Sequence, residues 1–251
     1  QPDLGLLQAG HGDRFPAHVI DGLRSIGHDV TVCHDNLSGG QFARPNGTMI
    51  DVGANIGLTS VTRVLLGDAD LVYAAEPASD NFACLVRTVL ENGLRGVVLP
   101  DRVAISDRDG VATLRLSGSI GGHTLLAGAE GIEVPTMRLD SWVSRMNIDA
   151  GAVRYVKVDT QGHEAHVLDG APELLARPGI VWQLEFSPGH LRKAGRHPET
   201  LIAHIQGVFT HFIDLNPHAP GDRLRPIAEL GEGLSYLDRS FTDLLVYKSV
   251  P

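Results

Sequence analysis

Short apolar runs alternate with helical patterns through most of the chain, as in a parallel β-sheet wrapped by helices. Residues 48–52 (TMIDV) read as a buried strand, 58–66 as the helix after it, and 69–75 (ADLVYAA) as the second strand. In 79–92, Phe82, Leu85, Val86, Val89 and Leu90 recur on one helical face, and Gly93 stands where a C-terminal stop belongs. A third strand is expected at 96–99. The alternation then breaks, because 103–105, 111–116 and 132–137 read as short strands around turn signals such as Asp109-Gly110. It resumes with strands at 153–158 (VRYVKV), 180–186, 208–214 and 241–250, and with helices beginning at Glu164 and Pro198. The expected fold is α/β: a doubly wound, mostly parallel seven-stranded sheet, Rossmann-like, with an antiparallel C-terminal edge.

Two segments stand apart. SGSIGGHTLLAGAEG (117–131) holds five glycines in fifteen residues and is expected to be a mobile loop placed to act as a lid. Residues 1–47, with helix-then-strand patterning over 11–32, are expected to form an N-terminal cap or helix–strand extension before a main domain at 48–251.

The first strand runs into the loop DVGANIG (51–57). A dinucleotide fingerprint would need glycines where this loop has Asn55 and Leu58, and no Gly-Lys-Ser/Thr follows to make a phosphate loop. A strand, Asp51, a tight turn, Asn55 and a helix suit instead a ligand with a positive centre and an amino acid end. S-adenosylmethionine is such a ligand: Asp51 can serve its ammonium, the turn amides its carboxylate, and Gly53 and Gly57 allow close backbone approach. Glu76 ends the second strand, where doubly wound folds place an acid to accept from ribose hydroxyls. A nicotinamide-dependent reductase would place an acid there as well, so the loop makes the distinction. A non-catalytic binding module that keeps this fold is a second alternative.

Composition narrows the partners. The chain has 251 residues and a formal net charge of -9, with its 21 Lys and Arg scattered, which argues against nucleic acid and anionic membrane surfaces. Two distant cysteines, Cys33 and Cys84, suggest reduced thiols in a cytoplasmic protein. No apolar stretch approaches the roughly 20 residues of a membrane span. His163 and His166 are three apart without an evident third ligand, so no metal is expected.

Five blocks in order, MIDVGANIG, VYAAEPASDNF, VAISDRDG, VPTMRLDSW and VKVDTQGHEAHVLDGA, make residues 48–185 resemble the FkbM-type methyltransferases, a branch of the class I S-adenosylmethionine-dependent fold. FTDLLVYK, near the end, is more weakly similar. The resemblance implies methyl transfer to a hydroxyl oxygen of a secondary metabolite or sugar, usually without a metal. It places Asp51, Gly53, Asn55 and Gly57 at the methionine end of the cofactor and Glu76 at its ribose. Asn81 would brace the Glu76 loop, and Asp101 would border the adenine. Gln161 departs from the pattern, since many members carry an acid there.

VKVDTQGHE leaves its strand beside the first one, at the sheet edge where ligands bind. Lys157 and Asp159 point to the same side, which predicts an ion pair. Asp159 could face the sulfonium or the acceptor. His163, by its ordinary pKa near neutrality, and Glu185, at the end of the next strand, are the competing general bases; His166 reads as structural. Acceptor walls are expected from 117–131, 187–197 and 216–240. The partner implied is a small hydroxylated molecule, and a homo-oligomer is compatible with this reading.

Overall fold

A computed structural model describes residues 47–115, 123–125, 131–216, 219, 225–237 and 240–248. Residues 1–46 of the expected N-terminal extension, and 117–122 and 126–130 of the glycine-rich segment, lie outside them. In chain order the elements are β1 (Thr48–Val52), α1 (Leu58–Leu65), β2 (Leu71–Ala75), α2 (Ser79–Glu91), β3 (Val98–Asp101), β4 (Ala104–Ser106), β5 (Gly110–Arg115), β6 (Thr124–Leu125), β7 (Ile132–Arg138), α3 (Leu139–Arg145) and β8 (Val153–Val158). There follow α4 (Glu164–Asp169), α5 (Pro172–Leu175), β9 (Val181–Phe186), α6 (Pro188–Lys193), α7 (Pro198–Val208), β10 (His211–Asp214), β11 (Arg225–Pro226), a 3-10 turn (Ile227–Glu229), α8 (Leu230–Gly233) and β12 (Thr242–Tyr247).

The main sheet has the order β11-β10-β12-β9-β8-β1-β2-β3. β3, β2, β1, β8 and β9 are parallel, whereas β12 is antiparallel to β9 and β10 to β12. The sheet has eight strands rather than the expected seven, because the two-residue β11 pairs with β10; a pair that short leaves no periodicity to read. β4, β7, β5 and β6 form a separate four-stranded sheet. Thr124 and Leu125, inside the glycine-rich segment, are therefore strand: they pair with Arg115 and Leu114.

Central parallel strands are covered on both faces and so carry near-continuous apolar runs; every residue of β1 is buried, as are five of the six of β8. In α2 the buried line is Asn81, Leu85 and Val89, each four apart, while Leu90 is 53% exposed. The apolar face is thus narrower than the sequence pattern suggested, since Leu90 is turned about 100° from Val89. Among the described residues no helix is long and apolar enough to cross a membrane. Cys84 is a half-buried free thiol, and Cys33 lies outside the described residues.

The strand order reverses between β1 and β8. In a doubly wound sheet this opens a crevice beyond the carboxyl ends of those strands.

Candidate active site

A cavity of about 220 Å³ fills that crevice. Its wall includes Val52 at the end of β1, Gly53 and Asn55 after it, and Glu76, Pro77 and Asn81 after β2. Gly53 has φ +78, and a Cβ there would fall 1.9 Å from the Asp159 carbonyl oxygen, so only glycine lets the turns after β1 and β8 close together. Asn55 sits at φ +53, a conformation asparagine tolerates. Its backbone N–H donates to Glu76 Oε2 at 2.9 Å, and the Ala78 N–H donates to Oε1 at 2.9 Å. Burial raises the Glu76 pKa, while these amides and the Asn81 side chain favour its charged form. Each carboxylate oxygen keeps a lone pair for a further donor.

Asp51, Gly57 and Asp101 are not part of the cavity wall. Asp51 is fully buried beneath it, accepting from Ser60 Oγ at 2.6 Å and lying 3.8 Å from Lys157 Nζ. Asp51 and Lys157 are register partners across β1 and β8. A Cβ at Gly57 would meet the end of the Leu85 side chain at 2.4 Å, so this glycine lets α1 pack on α2. Asp101 accepts from Trp142 Nε1 at 2.7 Å and pairs with Arg145. Those contacts hold it against α3; it had been expected to border the adenine.

Asp159, Glu185 and Asp243 give the cavity an acidic wall, and no Lys or Arg lines it among the described residues. The expected ion pair is present, with Lys157 Nζ 3.1 Å from Asp159 Oδ2. Glu185 and Asp243 are register partners on β9 and β12, which puts two carboxylates directly opposite each other, an arrangement that costs stability. Glu185 is supported by Gln161 Nε2 at 3.2 and 3.3 Å and by His190 Nδ1 at 3.3 Å. Burial above all, then the charges of Asp159, Glu164 and Asp243, lift its pKa well above the ordinary carboxylate value; Lys157 opposes them.

His163 also lines the cavity, but its chemistry is that of a buried neutral ring. Ser106 Oγ donates to Asp107 Oδ1 at 3.1 Å, which uses its single proton. His163 Nε2, 3.0 Å from the same oxygen, must then donate, which leaves the lone pair on Nδ1. Nδ1 is buried and has no hydrogen-bond partner. Burial, with His166 and Arg196 nearby, pushes the His163 pKa down to about 3. His163 was expected as one of two competing bases; its free nitrogen is buried and holds a proton poorly at neutral pH. His166 lies 3.3 Å from Asp107 and outside the cavity wall.

The remaining wall is Ala75, Thr160, Gln161, Val103, Ala104, Ile105, Leu114, His123, Thr124, Leu125 and the half-exposed Phe241. Of the three segments expected to wall an acceptor, 117–131 contributes His123, Thr124 and Leu125 to the cavity lining. Residues 187–197 and 216–240 supply none of the described lining. Asp243 and the contribution of β4 and β5 were missed. An acid inside the otherwise apolar run TDLLVY was the available signal for Asp243. Among the described residues no group of three or more His, Cys, Asp and Glu is placed to hold a metal ion.

Fold and site together define a doubly wound α/β protein with a ligand cavity at its topological switch and an acid at the end of the second strand. The family model described as the methyltransferase FkbM domain matches residues 51–214, and the chain belongs to that family of methyltransferases. The 31-O-demethyl-FK506 methyltransferase FkbM of Streptomyces tacrolimicus is 28% identical over 205 residues, covering 62% of this chain and 77% of the relative. A crystal structure of an FkbM methyltransferase from Methylobacillus flagellatus is 15% identical with a TM-score of 0.47, covering 81% of this chain and 44% of that one. The chain therefore spans less than half of that protein. TrmK of M. capricolum, solved with S-adenosyl-homocysteine, is 9% identical with a TM-score of 0.44, covering 84% of this chain and 66% of that one.

Proposed function

We propose that the protein is an S-adenosylmethionine-dependent O-methyltransferase that acts on a hydroxyl of a small molecule, a secondary metabolite or a sugar. The observation that carries this reading is one cavity whose wall holds Gly53, Asn55 and Glu76 together with Glu185. The first three residues fit the cofactor: Gly53 leaves a cradle without a side chain, Asn55 Oδ1 is a buried acceptor without a partner, and Glu76 has lone pairs for ribose hydroxyls. Bound there, S-adenosylmethionine supplies a methyl carbon on a positively charged sulfur, already activated for attack by an oxygen lone pair. The protein's own part is then mostly positioning. Glu185 takes the proton that a neutral alcohol must lose, and the apolar wall from Ile105 to Leu125 with Phe241 holds the body of the acceptor away from water. The name of the Streptomyces relative, which specifies a 31-O position, supports oxygen as the acceptor atom.

Calorimetric titration tests the cofactor. S-adenosylmethionine should bind the wild-type chain, NAD and NADP should not, and Glu76→Ala should weaken binding more than about 100-fold. That magnitude reflects the loss of two hydrogen bonds to a charged acceptor. Equal affinity of wild type and Glu76→Ala would remove the basis of this reading.

A further inference from the structure

The candidate base is held by an unusual turn. Gln161 has φ +56, a left-handed conformation in which a glutamine gains none of the local bonding that lets asparagine adopt it. The turn is bracketed from within by Glu164 Oε1, which accepts from Thr160 N at 3.0 Å, Thr160 Oγ1 at 3.2 Å and Gly162 N at 3.0 Å. From outside it abuts α6, where a Cβ on Gly162 would meet the His190 carbonyl oxygen at 2.8 Å. So placed, Gln161 Nε2 lies 2.8 Å from Asp159 Oδ1 and 3.2 and 3.3 Å from the two oxygens of Glu185. Every partner is a carboxylate oxygen, so the amide must present its N–H groups and not its carbonyl. An asparagine would suit the backbone better but is one methylene too short to span the pair.

The surroundings explain why a clasp is needed. Glu185 faces Asp159 and Gln161 on the turn after β8, Glu164 on α4, Asp243 on β12, Lys157 on β8 and His190 on α6. Lys157, the cation of this set at neutral pH, lies against Asp159 and Asp51. His190 is half-buried, and burial, with Lys193 nearby, lowers its pKa, so it acts as a neutral donor. We propose that Gln161 is a positioning residue for Glu185: its amide ties the Glu185 carboxylate to that of Asp159 and keeps Glu185 ionised and fixed in the cavity wall among other acids. This rests on the reading of Glu185 as the base.

The titration needs no acceptor. Protein labelled with carbon-13 at the glutamate side-chain carboxyl is titrated by NMR, with Glu185→Gln used to assign the Glu185 signal. Gln161→Asn, which preserves the left-handed turn but cannot bridge the acids, and Gln161→Leu should both raise the Glu185 midpoint by about one pH unit or more. Should Gln161→Leu not fold, Gln161→Asn alone decides. An unmoved midpoint overturns the role of Gln161 and leaves Glu185 as the base. Undiminished methyl transfer by Glu185→Gln overturns the base itself, and the positioning role with it.

Discussion

Glu185→Gln should cut methyl transfer by about 10²- to 10⁴-fold, the range of a lost general base, while affinity for S-adenosylmethionine stays at the wild-type value. The amide keeps the shape of the carboxylate and its place beside Gln161 and His190 but cannot take up a proton. Because burial and the neighbouring acids raise the Glu185 pKa, the carboxyl is protonated and idle at low pH. Turnover should therefore rise with pH through a limb above the ordinary carboxylate range, and Glu185→Gln should abolish that limb. His163→Ala should cost far less, since a ring with a pKa near 3 and a sealed lone pair contributes packing and one bond to Ser106. Turnover against pH for the three proteins, with any acceptor that supports the wild type, checks both statements. A loss at His163 as large as that at Glu185 would reverse the assignment.

Lys157→Met should destabilise the fold by about 3–5 kcal/mol, the usual cost of leaving a buried charge without its partner. For a chain of this size that lowers Tm by roughly 6–20 °C. Lys157 is buried between Asp51 and Asp159 on the two central strands, and methionine replaces its stem but not its charge. The pH dependence has a definite sign. Burial raises the Asp51 pKa in the folded state despite Lys157 and Ser60, so Asp51 disfavours folding as pH rises from its ordinary value near 4 through the raised one. Without Lys157 this penalty grows. The deficit in thermal or urea unfolding should therefore be larger at pH 8 than at pH 4.5, and an equal deficit at both would remove the ion pair as its cause. Asp51→Ala should lower stability as well, because Asp51 is fully buried against Ser60 and Lys157.

Much of the parallel sheet was legible in local patterning. VRYVKV is bounded by turn residues, has four apolar residues in six and is buried at every position but Arg154, and it spans β8 from end to end. Legibility stopped at the short helices: 139–145, 172–175 and 188–193 are too short for a 3.6-residue period to emerge. The sheet of β4, β7, β5 and β6 pairs residues far apart in sequence, and no local pattern announces its partners.

At the site the division is similar. Gly53, Asn55 and Glu76 could be picked out because their chemistry is local: a tight turn that must lack side chains, and an acid at a strand end. From sequence alone came the family, the order of its blocks and the residue types available to hold a cofactor. Tertiary structure alone decided which of those residues meet in one cavity. It buried Asp51 against Lys157 through strand register, turned Asp101 to Trp142, and spent Gly57 on Leu85. It also closed His163 against Ser106 and set Asp243 opposite Glu185 on an antiparallel strand that lies 50 or more residues away along the chain. The physical reason is that a side chain's charge and reach depend on burial and on partners from distant strands, and these exist only once the sheet has formed.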